Sequence, residues 1–345
     1  MQILRSQAES YSTLCSGAAE STTQHTIPQQ ERRRALIVPR EHGAWGMLLV
    51  PLVTGAAVGL LAGGHVAPVL LLTTAALALF WLRTPVESWL GTSAVRVQTR
   101  EECQLVSRVV LPLATVATVT VGALFWQGKN RELVWLGMIA GAAFATQILL
   151  KKLGRTTRMA AEVVGALALT STAPAAYCVA TGRLDARAWA LWLVNWLFAA
   201  DQVHFVWVRI RGARAAGLSE KLTVGWSFLA GQILLGVMLA LAYHFSWLPE
   251  LTLIAFAPVL FRGFAWFAKR PQPIVVRRLG WTELAHAVVF SVLLTASFAW
   301  YCRSHGHSDC FPTFEVCLRA ARWRTSVQPY RGLSVVLFPA GCACG

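Results

Sequence analysis

The sequence has little charge and very little acid. Of its 345 residues only 14% are charged, and 16 are Asp or Glu against 31 Lys or Arg. Just three are Asp: Asp185, Asp201 and Asp309. Disorder over most of the chain is excluded, since it requires low hydrophobicity and high charge, and 56% of these residues are hydrophobic with a mean hydropathy of +0.52. An ordinary soluble enzyme is excluded as well, because so little polar side chain could not cover so much apolar surface. The first 35 residues hold no apolar run able to form the core of a signal peptide. No Cys-x-x-Cys pair occurs among the eight cysteines, which leaves a thiolate zinc site without support.

What is abundant is apolar sequence in runs of membrane-spanning length, together with 15 Trp, a residue that gathers at membrane interfaces. The fold class is therefore all-α: a polytopic transmembrane helical bundle. Apolar runs near 44–62, 66–82, 106–126, 134–150, 160–180, 188–208, 223–243, 247–268 and 284–302 predict nine spans, or eight if one of the short runs 66–82 and 134–150 does not cross. Residues 1–35, rich in Ser, Thr and Gln, read as a disordered cytoplasmic tail before a helical domain over 36–302. Residues 303–345 read as a disordered tail with His305, His307, Cys310, Cys317, Cys342, Cys344 and several Arg, to which no function is assigned.

The net charge of +15 would suggest nucleic acid in a soluble domain. Placed between the spans, the charge marks topology instead, and no nucleic-acid partner is expected. Loops after the second, fourth, sixth and eighth spans hold Arg83, Arg96, Arg100, Lys151, Lys152, Arg155, Arg158, Arg209, Arg211, Arg214, Lys221, Lys269, Arg270, Arg277 and Arg278. The alternate loops hold only Lys129, Arg131, Arg183 and Arg187. By the positive-inside rule the N-terminus lies inside, and the odd span count puts the C-terminus outside.

Ionisable residues in spans are costly and mark candidate sites. Glu41 and His42 open the first span and Glu162 the fifth; Asp201 and His204 lie near the inner end of the sixth, and Glu283 and His286 open the ninth. All seven are expected at one level, the cytoplasmic edge. Asp201-x-x-His204 and Glu283-x-x-His286 each put a carboxylate and an imidazole on one helical face. Helical bundles build metal sites from such pairs, but a carboxylate at a helix N-terminus is also stabilised by the helix dipole alone; no metal site and no cofactor is assigned. On the sixth span Asp201, His204 and Arg211 share one face, and Asn195, Gln202 and Arg209 form a second polar stripe. A helix polar on two sides belongs in the bundle centre, either lining a cavity or held by amide hydrogen bonds.

The segment Pro39-Arg40-Glu41-His42-Gly43-Ala44-Trp45 resembles the opening motif of the YwiC-like family of bacterial integral membrane proteins, and Arg158–Pro174 and Phe205–Arg211 fit the same family. The resemblance, over roughly 37–302, implies a multi-pass protein of the bacterial inner membrane. A more distant likeness is to the UbiA superfamily of membrane prenyltransferases. It rests on nine helices, an inside N-terminus, and Lys151-Lys152 ahead of Glu162-x-x-Gly165. That likeness implies a UbiA-like arrangement with its site at the cytoplasmic helix ends. The Asp-rich motifs that hold Mg²⁺ in those enzymes are missing: Arg83-Thr-Pro-Val-Glu87 follows the second span, and Asp201 with His204 marks the sixth. An enzyme of this kind would be a transferase without those motifs.

These readings converge on a polar pocket facing the cytoplasm that binds or transfers an anionic isoprenoid or lipid, a diphosphate among them. Arg83, Lys151, Lys152, Glu162, Arg211, Glu283 and His286 are the candidate binding residues, and Asp201, His204, Glu41 and His42 the candidate catalytic ones. The alternatives are a proton- or ion-coupled transporter and a non-catalytic accessory protein of a respiratory membrane complex. Reporter fusions test the topology. Phosphatase fused after residues 64, 129, 183 and 246 should be active, and fused after 92, 155, 215 and 272 inactive; the reverse pattern would overturn the orientation.

Overall fold

The computed structural model describes residues 29–38, 42–91, 93, 95–128, 130–154, 156–215, 217–245, 248–249, 251–269 and 276–304. Among these residues every regular element is helical. A short helix α1 (Gln29–Ile37) precedes α2 (His42–Leu61), α3 (Val66–Trp89), α4 (Arg100–Trp126) and α5 (Asn130–Leu153). The fifth apolar run forms two helices in succession, α6 (Arg158–Thr170) and α7 (Thr172–Thr181). Then come α8 (Ala186–Arg211), a 3₁₀ turn, α9 (Leu218–His244), α10 (Thr252–Ala268) and α11 (Val276–Ser304).

Each of the nine apolar runs becomes helix. Seven stretches are long and apolar enough to cross a membrane: Gly43–Leu61, Val66–Trp89, Arg100–Trp126, Glu132–Leu153, Arg158–Thr181, Leu218–His244 and Arg278–Tyr301. The two runs that look short in the sequence form 24-residue helices, α3 and α5, because each helix continues beyond its apolar stretch into polar residues. The remaining two are α8, whose Asn195, Asp201, Gln202 and His204 dilute its apolar character, and α10, which has 17 residues. The chain is a multi-pass helical membrane protein.

The break between α6 and α7 has a local cause. Thr170, Ser171 and Thr172 all turn their hydroxyls back onto carbonyls of the preceding turn, at 3.3, 2.7 and 2.8 Å. Such bonds compete with the helical ladder, and Pro174 then removes a backbone donor. The Thr172 hydroxyl also reaches the Leu48 carbonyl of α2, just ahead of Pro51, which interrupts the α2 ladder.

The main core cluster lies among α2, α7, α8, α9, α10 and α11. Phe198 stacks on Phe290 with ring centroids 3.9 Å apart, and Phe256 meets Phe290 edge-on at 5.2 Å. Leu191, Val194, Leu294 and Phe298 fill the space around them. Thr54–Ser291 (2.8 Å) and Thr252–Ser297 (3.1 Å) hydrogen bonds cross between helices, and the Thr54 hydroxyl also donates to the Val50 carbonyl of its own helix at 2.7 Å. Helices α4 and α5 are peripheral and largely exposed.

Small residues bring α2 and α7 into backbone contact. A Cβ on Gly55 would lie 2.1 Å from the Ala173 carbonyl oxygen, and one on Gly59 2.8 Å from the Ala180 Cβ. Gly55 and Gly59 are four apart, the spacing that lets membrane helices pack closely.

Helix α1 includes residues 29–35, the end of the segment that composition assigns to a disordered tail. Order there comes from charge pairing with α4. Arg32 bonds Glu102 at 2.6 Å and the Arg96 carbonyl at 2.8 Å, while Arg33 meets Glu101 at 3.0 Å. The hydrogen bond to Glu102 raises the Arg32 pKa above its already high ordinary value. Trp81 of α3 donates to the Ile37 carbonyl at 3.0 Å. Residues 1–28 and the segment after Ser304, also expected to be disordered, lie outside the described residues.

Replacing Gly55 tests the α2–α7 contact. Gly55→Leu should lower thermal stability in detergent by about 1–3 kcal/mol or more, the cost of overpacking. Gly137→Leu on exposed α5, where nothing lies within 4 Å, should leave the melting temperature unchanged.

Candidate functional site

Helix α8 is flanked by α7 on one side and by α9 on another, and its polar residues point inward. Asp201 is 8% exposed, Gln202 8% and Asn195 1%. Burial of a carboxylate among apolar helices requires a partner, and the partner is Arg262 of α10. Its Nη2 meets Asp201 Oδ2 at 3.0 Å and its Nη1 bonds Glu283 Oε2 of α11. The guanidinium plane also lies over the Phe205 ring, 4.0 Å from its centroid. Gln232 of α9 donates to the other Asp201 oxygen. Gln202 donates to the Glu283 backbone carbonyl at 2.9 Å. One guanidinium thus joins two carboxylates from two helices, and two amides join the same cluster from α8 and α9.

The cluster is not all at the helix ends, as expected from sequence. Asp201 is ten residues from the end of α8, about 15 Å along its axis, and its partner Gln232 sits near the middle of α9. Glu283 lies nearer the start of α11, so the cluster slopes from the bundle centre toward the end with the basic loops.

Beside it is an open cleft of about 250 Å³, walled by the basic-loop halves of α2, α3, α5, α6, α8 and α11. Arg83, Gln147, Glu162, Gln202 and Glu283 contribute polar groups, and Met47, Leu169, Val203, Val206 and Trp207 the apolar walls. Behind Arg83 the Glu87 carboxylate accepts from Arg83 at 3.0 Å and from Lys151 at 3.3 Å, which links α3 to α5. A smaller recess, lined by Met47, Pro51, Asn195 and Gln202, adjoins the cleft. The buried Asn195 Oδ1 there has no hydrogen-bond partner among the described residues.

Of the residues singled out by sequence, Arg83, Glu162 and Glu283 meet in this cleft, and Lys151 stands behind Arg83 through Glu87. Asp201 is tied to the same network from behind, through Arg262. His204 is turned to α9, with Nε2 3.3 Å from Ser227 Oγ and its ring edge-on to Phe228; it makes no hydrogen bond with Asp201. His286 Nδ1 is 2.7 Å from the Thr282 carbonyl, within its own helix. Arg211 is exposed and stacks on Trp207, 3.8 Å from its ring centroid. Lys152 is exposed. Glu41 and the His42 side chain lie outside the described residues. Among the described residues no three His, Cys, Asp or Glu side chains come together to hold a metal ion.

Arg262, Gln232, Gln147 and Glu87 were not among the sequence candidates. Arg262 is the centre of the network, and its signal was available: a lone charge within the apolar run Thr252–Ala268. The other signals were fainter, since amides occur in many membrane helices as hydrogen-bonding glue.

A family model described as YwiC-like protein matches residues 38–177, and over that region the chain is similar to the YwiC-like family. The match takes in the opening motif and Arg158–Pro174, and it ends before Phe205–Arg211. No curated protein and no solved structure matches the chain. The likeness to the UbiA superfamily therefore rests on sequence pattern alone.

Removing Arg262 would leave two buried carboxylates without a cation. Arg262→Met should cost about 3–5 kcal/mol of stability. Arg262→Lys should recover only part of it, since an ammonium lacks the planar fork that reaches both acids. Adding Asp201→Asn and Glu283→Gln to Arg262→Met should restore most of the loss, which melting in detergent will measure.

Proposed function

We propose that this YwiC-like membrane protein binds an amphipathic anionic lipid or isoprenoid phosphate in the cleft, from the cytoplasmic side of the bacterial inner membrane. The observation that carries the reading is the meeting of cations and apolar side chains at one cleft. Arg83 lines it, Lys151 stands behind Arg83 through the Glu87 carboxylate that both contact, and Arg211 stacks on Trp207, another lining residue. Basic pockets between membrane helices on this side suit phosphate head groups. Met47, Leu169 and Val206 supply an apolar wall for the chain that follows the head group. A volume of about 250 Å³ suits a head group and the first part of its chain.

Binding is better supported than transfer. Asp201 and His204, the acid–base candidates, do not line the cleft, and Asp201 is engaged by Arg262 and Gln232. A second reading, proton- or ion-coupled transport, draws on the buried chain Gln232–Asp201–Arg262–Glu283, which joins mid-helix to the cleft. Under that reading Asp201→Asn abolishes ion-driven uptake in proteoliposomes and leaves lipid binding intact.

The lipid reading is tested with purified protein in dodecyl maltoside by native mass spectrometry. Phosphatidic acid and geranylgeranyl diphosphate should bind, and phosphatidylethanolamine should bind at least tenfold more weakly. Lys151→Ala should weaken the phosphate ligands about tenfold and flatten their salt dependence. Equal binding of all lipids, or no effect of Lys151→Ala, would overturn it.

A further inference from the structure

The recess beside the cleft has a volume of about 10 Å³, the room that one water molecule needs. It lies between α2 and α8, with Met47, Pro51, Asn195, Phe198 and Gln202 in its walls, and every residue lining it is uncharged. Asn195 is 1% exposed. Its Nδ2 donates to the Leu191 carbonyl at 2.8 Å, which fixes the orientation of the amide, because a carbonyl only accepts. The Oδ1 end is then a buried acceptor with no partner among the described residues. Leaving such an oxygen unpaired inside a bundle is costly.

A second acceptor arises on α2. The helical partner of the Met47 carbonyl would be the N–H of position 51, and Pro51 has none. The hydroxyls nearby go elsewhere: Thr54 donates to the Val50 carbonyl and Thr172 to the Leu48 carbonyl. Met47 and Pro51 both line the recess, so the break in the α2 ladder falls at the wall opposite Asn195. Proline is tolerated in a membrane helix where a neighbouring side chain or an ordered water re-satisfies the freed group. Asn195 Oδ1 cannot do so, since it also accepts.

We propose that the recess is a binding site for a single water molecule, which donates one hydrogen to Asn195 Oδ1 and the other to the Met47 carbonyl and so joins α2 to α8 at the Pro51 break. Two acceptors at one small site match the two donors of a water. A cation is disfavoured, because no anionic side chain lines the recess to offset its lost hydration. Met47 and Gln202 also line the cleft, so the site fills and exchanges from there. Solvent thereby reaches Asn195, which is about 24 Å along the helix axis from the end of α8 at Arg211. The site is independent of which ligand the cleft takes.

Radiolytic hydroxyl-radical footprinting of the full chain in dodecyl maltoside tests this, because radicals form from a bound water and oxidise the side chains that touch it. Phe198 is the probe: it is 3% exposed and lines the recess but not the cleft. Phe256, fully buried in the main core and away from the recess, is the internal control. In wild type Phe198 should be oxidised at least about fivefold faster than Phe256, as befits a ring beside an ordered water. Asn195→Leu, which removes one acceptor, should bring Phe198 down to the Phe256 rate. Pro51→Ala returns an N–H to the Met47 carbonyl and should slow Phe198 in a chain that keeps Asn195, so the test holds even where Asn195→Leu does not fold. Wild-type rates in sodium, potassium and choline chloride should be equal. Equal rates for Phe198 and Phe256 in wild type, or an undiminished Phe198 rate in both variants, would overturn the proposal. Protection of Phe198 by sodium or potassium against choline would overturn it too, and would assign the recess to a cation.

Discussion

The placement of Arg262 constrains this bundle more than any other single feature. A guanidinium in an apolar helix cannot be left unpaired, and α10 has no acid of its own to offer. The two carboxylates that satisfy it come from α8 and α11, so three helices are held in one rotational setting about a single side chain. Phe205 closes one face of the guanidinium, and Gln232 brings α9 into the same cluster. Buried ion pairs of this kind add little net stability over an apolar core, but they strongly disfavour arrangements that leave one partner alone.

That setting positions the cleft. Glu283 is held by Arg262 on one side and lines the cleft on the other, and Gln202 lines it while bonding the Glu283 backbone. The opposite wall depends on a second ion-paired chain, Lys151–Glu87–Arg83, which joins α5 to α3. Between the two chains the short helix α6 supplies Glu162 and the small residues Gly165 and Ala166. Its separation from α7 follows from three successive hydroxyl residues and Pro174. The cleft thus gathers Arg83, Gln147, Glu162, Gln202 and Glu283 from five helices, with apolar side chains on the remaining walls.

The bilayer makes much of this legible in one dimension. A spanning helix needs about 20 consecutive apolar residues, so nine runs could be located from composition, and all nine are helices. Glu162, Glu283 and Arg83 were recognisable because a charge inside or beside such a run stands out. Arg262 also lies inside such a run, but its partners Asp201 and Glu283 are 61 and 21 positions away, so its role shows only in three dimensions. An amide such as Gln147 is not conspicuous until the side chains around it are known. His204 and Asp201, three apart on one face, turn to different partners, Ser227 and Arg262. Spacing on a helix places two side chains near each other without choosing what each one touches.

Hydropathy and charge in the sequence by themselves determined the class of protein, the positions of its helices and the end of the bundle that carries the basic loops. Each of these follows from how single segments partition between water and lipid, a property of local composition. Tertiary structure alone decided that Arg262 pairs with Asp201 and Glu283, that Glu87 joins Lys151 to Arg83, and that Gln147 faces a cleft beside Gly165. These depend on the rotation of each helix about its axis and on which helix lies next to it. Both are set by close packing, such as Gly55 against Ala173, between residues more than a hundred positions apart in the chain.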